Sequence, residues 1–287
     1  MAILQINHRG FLANQELGLP PVAPSAEKAK IILEEKGIPF KEIHELTDSE
    51  IKKIIKKFAY AAELSIKAGY DGIEIHGANN YLIQQFFSPF SNERNDEWGG
   101  NDKKRMNFSI QIVDEICKIR EKCNRPDFII GYRLSPEEPY EGGITMNETL
   151  KLVKMLSNKP IQYIHISQNN YFQKARKGEG EGQERLKLIH NETKGKIALI
   201  GVGGLLCEND FNSAINSGLS EFIAVGRASM LNKNLGILLA QGKGDKLDLE
   251  LDPKQKEKYA IPDELWNMCL TGQDWLPKVK DKNKYNI

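Results

Sequence analysis

With 287 residues, the chain can fill one large domain or two small ones, and its 40% hydrophobic and 28% charged residues are ordinary for a globular protein. A formal net charge of +1 removes any electrostatic case for nucleic acid or an anionic membrane surface. No apolar run reaches the ~18 residues a bilayer span needs, and the first residues lack the basic segment and long apolar core of a signal peptide.

Short β-branched runs alternate with longer amphipathic segments, a rhythm that predicts βα units around a parallel sheet. Six strands are predicted, at 3–7, 72–75, 128–134, 163–167, 197–201 and 221–225. After the first, Pro20, Pro21 and Pro24 mark a loop, and 28–46 reads as a charged surface excursion with a weak helix. Thr47-Asp48-Ser49-Glu50 is a capping-box signature. The helix it opens carries Ile51, Ile54, Ile55, Phe58, Ala62 and Ile66 on one face and stops at Gly69. The second strand runs into His76, Asn79, Asn80 and Tyr81. Helical spacing returns at Phe108, Ile112, Ile116 and Ile119, then at Leu150, Val153 and Leu156, and again at Phe211, Ala214 and Ile215. The third strand contains Arg133, costly among apolar neighbours unless it is paired or faces an anion. Residues 241–260 are expected to be exposed, and 278–287 to fray.

Cys117, Cys123, Cys207 and Cys269 form no C-x-x-C pair, which argues against zinc or iron–sulfur ligation. They read as reduced thiols of a cytoplasmic protein. Two architectures fit the alternation: an open doubly wound sheet and a closed (β/α)8 TIM barrel. No G-x-G-x-x-G follows an early strand, whereas polar residues gather just after several strand C-termini, as in a barrel. The predicted fold class is therefore α/β, a (β/α)8 TIM barrel that is incomplete, with about six of eight units in one domain over 1–287.

The loop after the second strand carries the chemistry. His76 and Asn79 can both donate to one substrate oxygen, and Tyr81 can deliver a proton. That trio suits reduction of a double bond conjugated to a carbonyl: two donors hold the developing enolate oxygen and one acid protonates carbon. Elsewhere, Gly201-Val202-Gly203-Gly204 and Gly226-Arg227 end the last two strands. Glycines let backbone N–H groups approach a phosphate, and arginine binds one bidentately. Barrels frequently bind phosphate with the loops after strands seven and eight. Counting 221–225 as strand eight makes 3–7 strand three.

These motifs resemble the old yellow enzyme family of flavin-dependent ene-reductases, most closely from Asp71 to Arg105 and in order from Leu4 to about Leu235. The resemblance implies FMN as cofactor, with hydride passing from NADH or NADPH to flavin N5 and on to the β-carbon of an activated alkene such as an enone. It gives His76 and Asn79 the acceptor's carbonyl oxygen and Tyr81 the α-proton. Arg133 falls beside the flavin pyrimidine, where a fixed positive charge stabilises the anionic reduced form. Gln5 matches the imide edge, and Gly203, Gly204, Gly226 and Arg227 match the FMN phosphate site. Ser88-Pro89 to Gly99-Gly100 resembles the family's loop, in which Arg94 and Asp96 are read as structural braces. The chain departs from the pattern at Asn80, where glycine is common, at Phe11, where arginine is common, and at Lys103-Lys104-Arg105, where E-N-R is usual. Asparagine tolerates positive φ, so the turn at Asn80 is expected to survive.

Measured against a complete barrel, the first two βα units would lie before Met1. The expected reading is a fragment or mis-started frame, or a barrel completed by other chains, such as a homo-oligomer; the runner-up to an active enzyme is a catalytically impaired fragment that binds flavin poorly, or a partner subunit of a flavin barrel protein. A third reading, a phosphate-binding aldolase or isomerase barrel, lacks a strand-end lysine with a matching carboxylate. The expected partners are the alkene substrate and the nicotinamide nucleotide.

Overall fold

A computed structural model describes residues 1–280 except Gln15, Leu17 and Asp274, so 281–287 of the tail expected to fray lie outside the described residues. The strands are β1 Ile3–Ile6, β2 Val22–Ala23, β3 His44–Glu45, β4 Gly72–Gly77, β5 Ile129–Leu134, β6 Tyr163–Ile166, β7 Ala198–Val202 and β8 Phe222–Ala224. Between them lie α1 Ala26–Glu35, α2 Asp48–Lys67, α3 Leu82–Phe87, α4 Asp102–Lys122, α5 Met146–Leu156, α6 Arg185–Thr193 and α7 Glu208–Asn216; α8 Arg227–Leu231, α9 Leu235–Ala240, α10 Lys256–Tyr259 and α11 Asp263–Thr271 follow. The main sheet has the order β1-β4-β5-β6-β7-β8, so all six predicted strands form, in sequence order. The pairings from β1 through β7 are parallel. None of the described helices is long and apolar enough to cross a membrane.

The chain divides into two compact units. The first comprises Met1–Gln168 and Phe172–Ile200. Its helix α2 starts where the capping box predicts: Thr47 Oγ1 accepts the Glu50 N–H, and the Glu50 carboxylate accepts the Thr47 N–H at 2.8 Å. The predicted stripe is buried at Ile51, Ile55, Phe58 and Ala62, and Gly69 takes φ +84 just past the helix end. Helices α4 and α5 likewise bury Phe108, Ile112 and Ile116, and Leu150, Val153 and Leu156.

Cross-strand register stacks side chains from different strands at common levels. One level joins Gln5, Glu74, Gly131 and Tyr163; the next joins His76, Arg133 and His165. Gly131 is what allows the first level, since a Cβ there would lie 2.0 Å from Cζ of Tyr163. The segment expected as a surface excursion has a core of its own. β2 and β3 form a two-stranded parallel sheet, and Ala29, Ile32 and Leu33 of α1 pack with Phe11, Ala23 and Ile43. Its apolar residues are too few and too scattered for periodicity to stand out against the charges around them.

The second unit comprises Asn169–Tyr171 and Gly201–Ile287. Its core gathers Leu231, Leu251, Tyr259, Ile261, Trp266, Cys269 and Leu276. Leu251 and Tyr259 come from the stretch expected to be exposed, and they reverse that expectation locally. In α7, Phe211 and Ala214 are buried as expected, but Ile215 is 58% exposed. Ile215 follows Ala214 directly, and one residue's rotation of about 100° carries it off the buried stripe.

Candidate active site

The fully buried strand β4 ends in a tight loop with two consecutive left-handed residues, Asn79 at φ +57 and Asn80 at φ +60. The turn therefore survives the change from glycine, as the tolerance of asparagine for this region implies. Two glutamines brace it. Gln84 Oε1 accepts the Asn80 N–H at 3.0 Å, while its Nε2 donates to Asn80 Oδ1 and Glu138 Oε1. Gln85 donates to the carbonyls of Asn80 at 2.6 Å and Arg9 at 3.1 Å, tying the loop to the segment after β1. Tyr81 occupies the position just before α3, and the Leu82 N–H reaches the His8 carbonyl at 2.8 Å.

These braces bring the trio together. His76 Nε2 and Asn79 Nδ2 lie 3.5 Å apart, within reach of one oxygen held between them. The Tyr81 ring meets the His76 ring edge-on, with centroids 4.9 Å apart. The Arg9 guanidinium lies 5.6 Å from the Tyr81 ring centroid, a cation–π distance. His76 is only 3% exposed. Burial, assisted by the positive charge of Arg133, lowers the imidazole pKa to about 4, so the ring is neutral at neutral pH.

Below and beside the trio is a polar interior. Glu74 Oε1 accepts from Gln5 Nε2, and Oε2 lies 3.0 Å from His165 Nδ1. Burial pushes the Glu74 carboxyl up, but bonds from His165, Gln5 and Tyr163 outweigh it and hold the pKa below the usual value. Burial, and then the Glu74 charge, push the Tyr163 hydroxyl upward. Tyr163 and His165, read from sequence as wall or core, thus line one face with Glu74 as their common partner. Glu74 itself had no sequence signal beyond being a lone acid in an apolar strand.

Among the described residues, three buried polar atoms at the next level find no hydrogen-bond partner: His76 Nδ1, Arg133 Nε and His165 Nε2. Their strand positions are direct register partners. Leaving such atoms unmatched costs about 1–3 kcal/mol each. A polar heteroaromatic ring that offers both donors and acceptors, such as a flavin pyrimidine, fits this donor set. Gln5 spends one donor on Glu74 and keeps a second donor and its carbonyl oxygen for such an edge.

The following loop is structural, as read. Arg94 forks onto Asp96 and donates to the Pro24 and Leu46 carbonyls, while Asn92 donates to the Phe86 and Trp98 carbonyls. In place of the missing family carboxylate, Arg105 pairs with Asp102 at 2.5 Å.

The phosphate candidates belong to the second unit. Gly203 has φ +131, accepts the Tyr171 N–H at its carbonyl at 2.9 Å, and would bring a Cβ to 2.7 Å from the Asn170 backbone. Gly204 has φ +71. Both positions thus need glycine. Gly226 precedes α8, which opens at Arg227. Tyr171 is core, bonded through its hydroxyl to Ser220 at 2.7 Å.

Residues 1–246 match the NADH:flavin oxidoreductase / NADH oxidase family. The chain is 37% identical over 276 residues to the probable NADH-dependent flavin oxidoreductase YqiG of Bacillus subtilis, covering 96% of this chain and 72% of that protein. It is 36% identical over 274 residues to the NADH:acrylate oxidoreductase of Vibrio harveyi, covering 93% of this chain but only 26% of that protein. The structure of morphinone reductase in complex with tetrahydroNAD superimposes with a TM-score of 0.71 at 23% identity, over 97% of this chain and 73% of that one. That likeness shows the fold, and the six strands here are those of an incomplete (β/α)8 barrel. By its sequence and its relatives, the chain belongs to the NADH:flavin oxidoreductase / NADH oxidase family, enzymes that use FMN and a nicotinamide nucleotide.

Proposed function

We propose that the protein reduces activated alkenes, those conjugated to a carbonyl or similar group, with electrons drawn from NADH or NADPH. The observation that carries this reading is the placement of His76 Nε2 and Asn79 Nδ2 3.5 Å apart beside the Tyr81 ring; in the tautomer with its proton on Nε2, His76 joins Asn79 as a second donor to a bound oxygen. When bound, FMN supplies hydride to the β-carbon of the alkene. His76 and Asn79 hold the acceptor's oxygen and stabilise the negative charge that develops there. Because the imidazole is neutral, its N–H is a donor that does not give up its proton to that oxygen. Tyr81 delivers a proton to the α-carbon. With FMN bound, Arg133 would place a fixed charge beside the pyrimidine, and Gln5 would meet its imide edge. The acrylate in the name of the Vibrio harveyi relative is an alkene of the same broad class.

For the second unit we propose that Gly203, Gly204, Gly226 and Arg227 bind the FMN phosphate. The positive φ at Gly203 and Gly204 supports it, since left-handed glycine backbone is of the kind that cradles anions.

The test is NADH consumption under argon by the FMN-loaded protein with 2-cyclohexen-1-one. Enone-dependent consumption with cyclohexanone as product is expected. NADH oxidation that proceeds only with oxygen would contradict the reading.

A further inference from the structure

Ser167 lies in hydrogen-bond contact with the Asn79 amide. It follows β6, and its N–H donates to the Leu134 carbonyl at 2.7 Å, fixing its backbone to β5. Its hydroxyl stands between two side chains from different strands. Arg133 Nη2 donates to Ser167 Oγ at 3.0 Å, and Ser167 Oγ donates to Asn79 Oδ1 at 2.8 Å. A guanidinium has donors only, so Ser167 accepts from it. The single serine proton goes to Asn79 Oδ1, which faces Ser167. The amide nitrogen is left on the opposite side, 3.5 Å from His76 Nε2. A turned amide would leave that proton without this acceptor and crowd a second donor onto the hydroxyl oxygen. At the backbone, the Asn79 N–H donates to Ser135 Oγ at 3.0 Å, so the residue is held at both ends.

An exposed asparagine without such a partner can turn its amide over, exchanging donor for acceptor. At this position the exchange would aim a carbonyl oxygen at the substrate's oxygen and turn a stabilising contact into a repulsive one. We infer that Ser167 is a positioning residue: acting through Asn79, and oriented by Arg133, it presents the amide N–H to the acceptor oxygen. The inference rests on the alkene-reducing site proposed above. It also gives Arg133 a second task, because a hydroxyl accepting from a cation is a stronger donor to the next group.

Two measurements on one set of variants separate this inference from the site it rests on. In protein labelled with 15N-asparagine, the Asn79 side-chain amide is identified by its loss in Asn79→Ala. Ser167→Ala should move and broaden that resonance without any ligand present, and Ser167→Thr, which keeps the hydroxyl, should restore it. An unmoved resonance in Ser167→Ala overturns the hydrogen-bond chain. In the FMN-loaded protein, p-hydroxybenzaldehyde serves as a phenolate probe of the oxygen site. Ser167→Ala should weaken its binding about tenfold, Ser167→Thr by less than threefold, and Ser167→Ala should add nothing in an Asn79→Ala background. Equal probe affinity in wild type and Ser167→Ala, or additive losses in the double variant, overturns the positioning role. A protein that shows the amide signature yet binds no phenolate overturns the oxygen site itself.

Discussion

Arg133 is the direct cross-strand partner of His76 in the register of β4 and β5. After burial, its charge is the largest influence that keeps the imidazole neutral, with a pKa lowered to about 4. The consequence for stability has a definite sign. The folded imidazole gives up a proton that the unfolded one holds between about pH 4 and its model value of 6.5. This contribution is therefore complete above 6.5 and is lost as pH falls toward 4, about 3 kcal/mol in all. Urea denaturation between pH 4 and 7 should show a decline in wild type that is smaller by about that amount in His76→Gln. Parallel curves would contradict the neutral imidazole.

Removing the Tyr81 hydroxyl should separate the two halves of the catalytic cycle. In Tyr81→Phe, reduction of flavin by NADH should keep its rate, whereas reoxidation by an enone should slow roughly 10²–10⁴-fold, as for a lost general acid. Stopped-flow traces that slow equally in both halves would remove Tyr81 from the proton-transfer step.

Gly131 is expected to tolerate no side chain. Its Cβ would meet the Tyr163 ring at 2.0–2.5 Å, and the Tyr163 hydroxyl is tied to Glu74. Gly131→Ala should cost about 1–3 kcal/mol of unfolding free energy, the usual penalty of overpacking. A midpoint unchanged from wild type would show that the ring moves aside freely.

Cofactor released by heat should run as FMN on chromatography. Arg227→Ala should weaken FMN binding by about 1.5–3 kcal/mol, the worth of a charged hydrogen bond. An unchanged dissociation constant, read by flavin fluorescence quenching, would take Arg227 out of the phosphate site.

Much of this was legible in the residues. All six strands of the main sheet, the capping box at Thr47 and the gathering of His76, Asn79 and Tyr81 follow from local pattern, because strand ends and helix starts leave local marks. Arg94 and Asp96 brace the loop as their charges suggested. What escaped was long-range pairing. Glu74 binding Gln5 and His165, and Ser167 joining Arg133 to Asn79, depend on register between strands 34 to 91 residues apart. No local periodicity encodes that register. The β2–β3 pair was missed for a related reason: two residues per strand is too short a run for alternation to register.

The most direct test of the central claim is a single-turnover experiment under anaerobic conditions. The FMN-loaded protein is first reduced with one equivalent of NADH and then mixed with 2-cyclohexen-1-one. The account predicts return of the oxidised flavin spectrum at a rate that saturates with enone, together with one equivalent of cyclohexanone. Flavin that accepts electrons from NADH yet stays reduced in the presence of enone would contradict it.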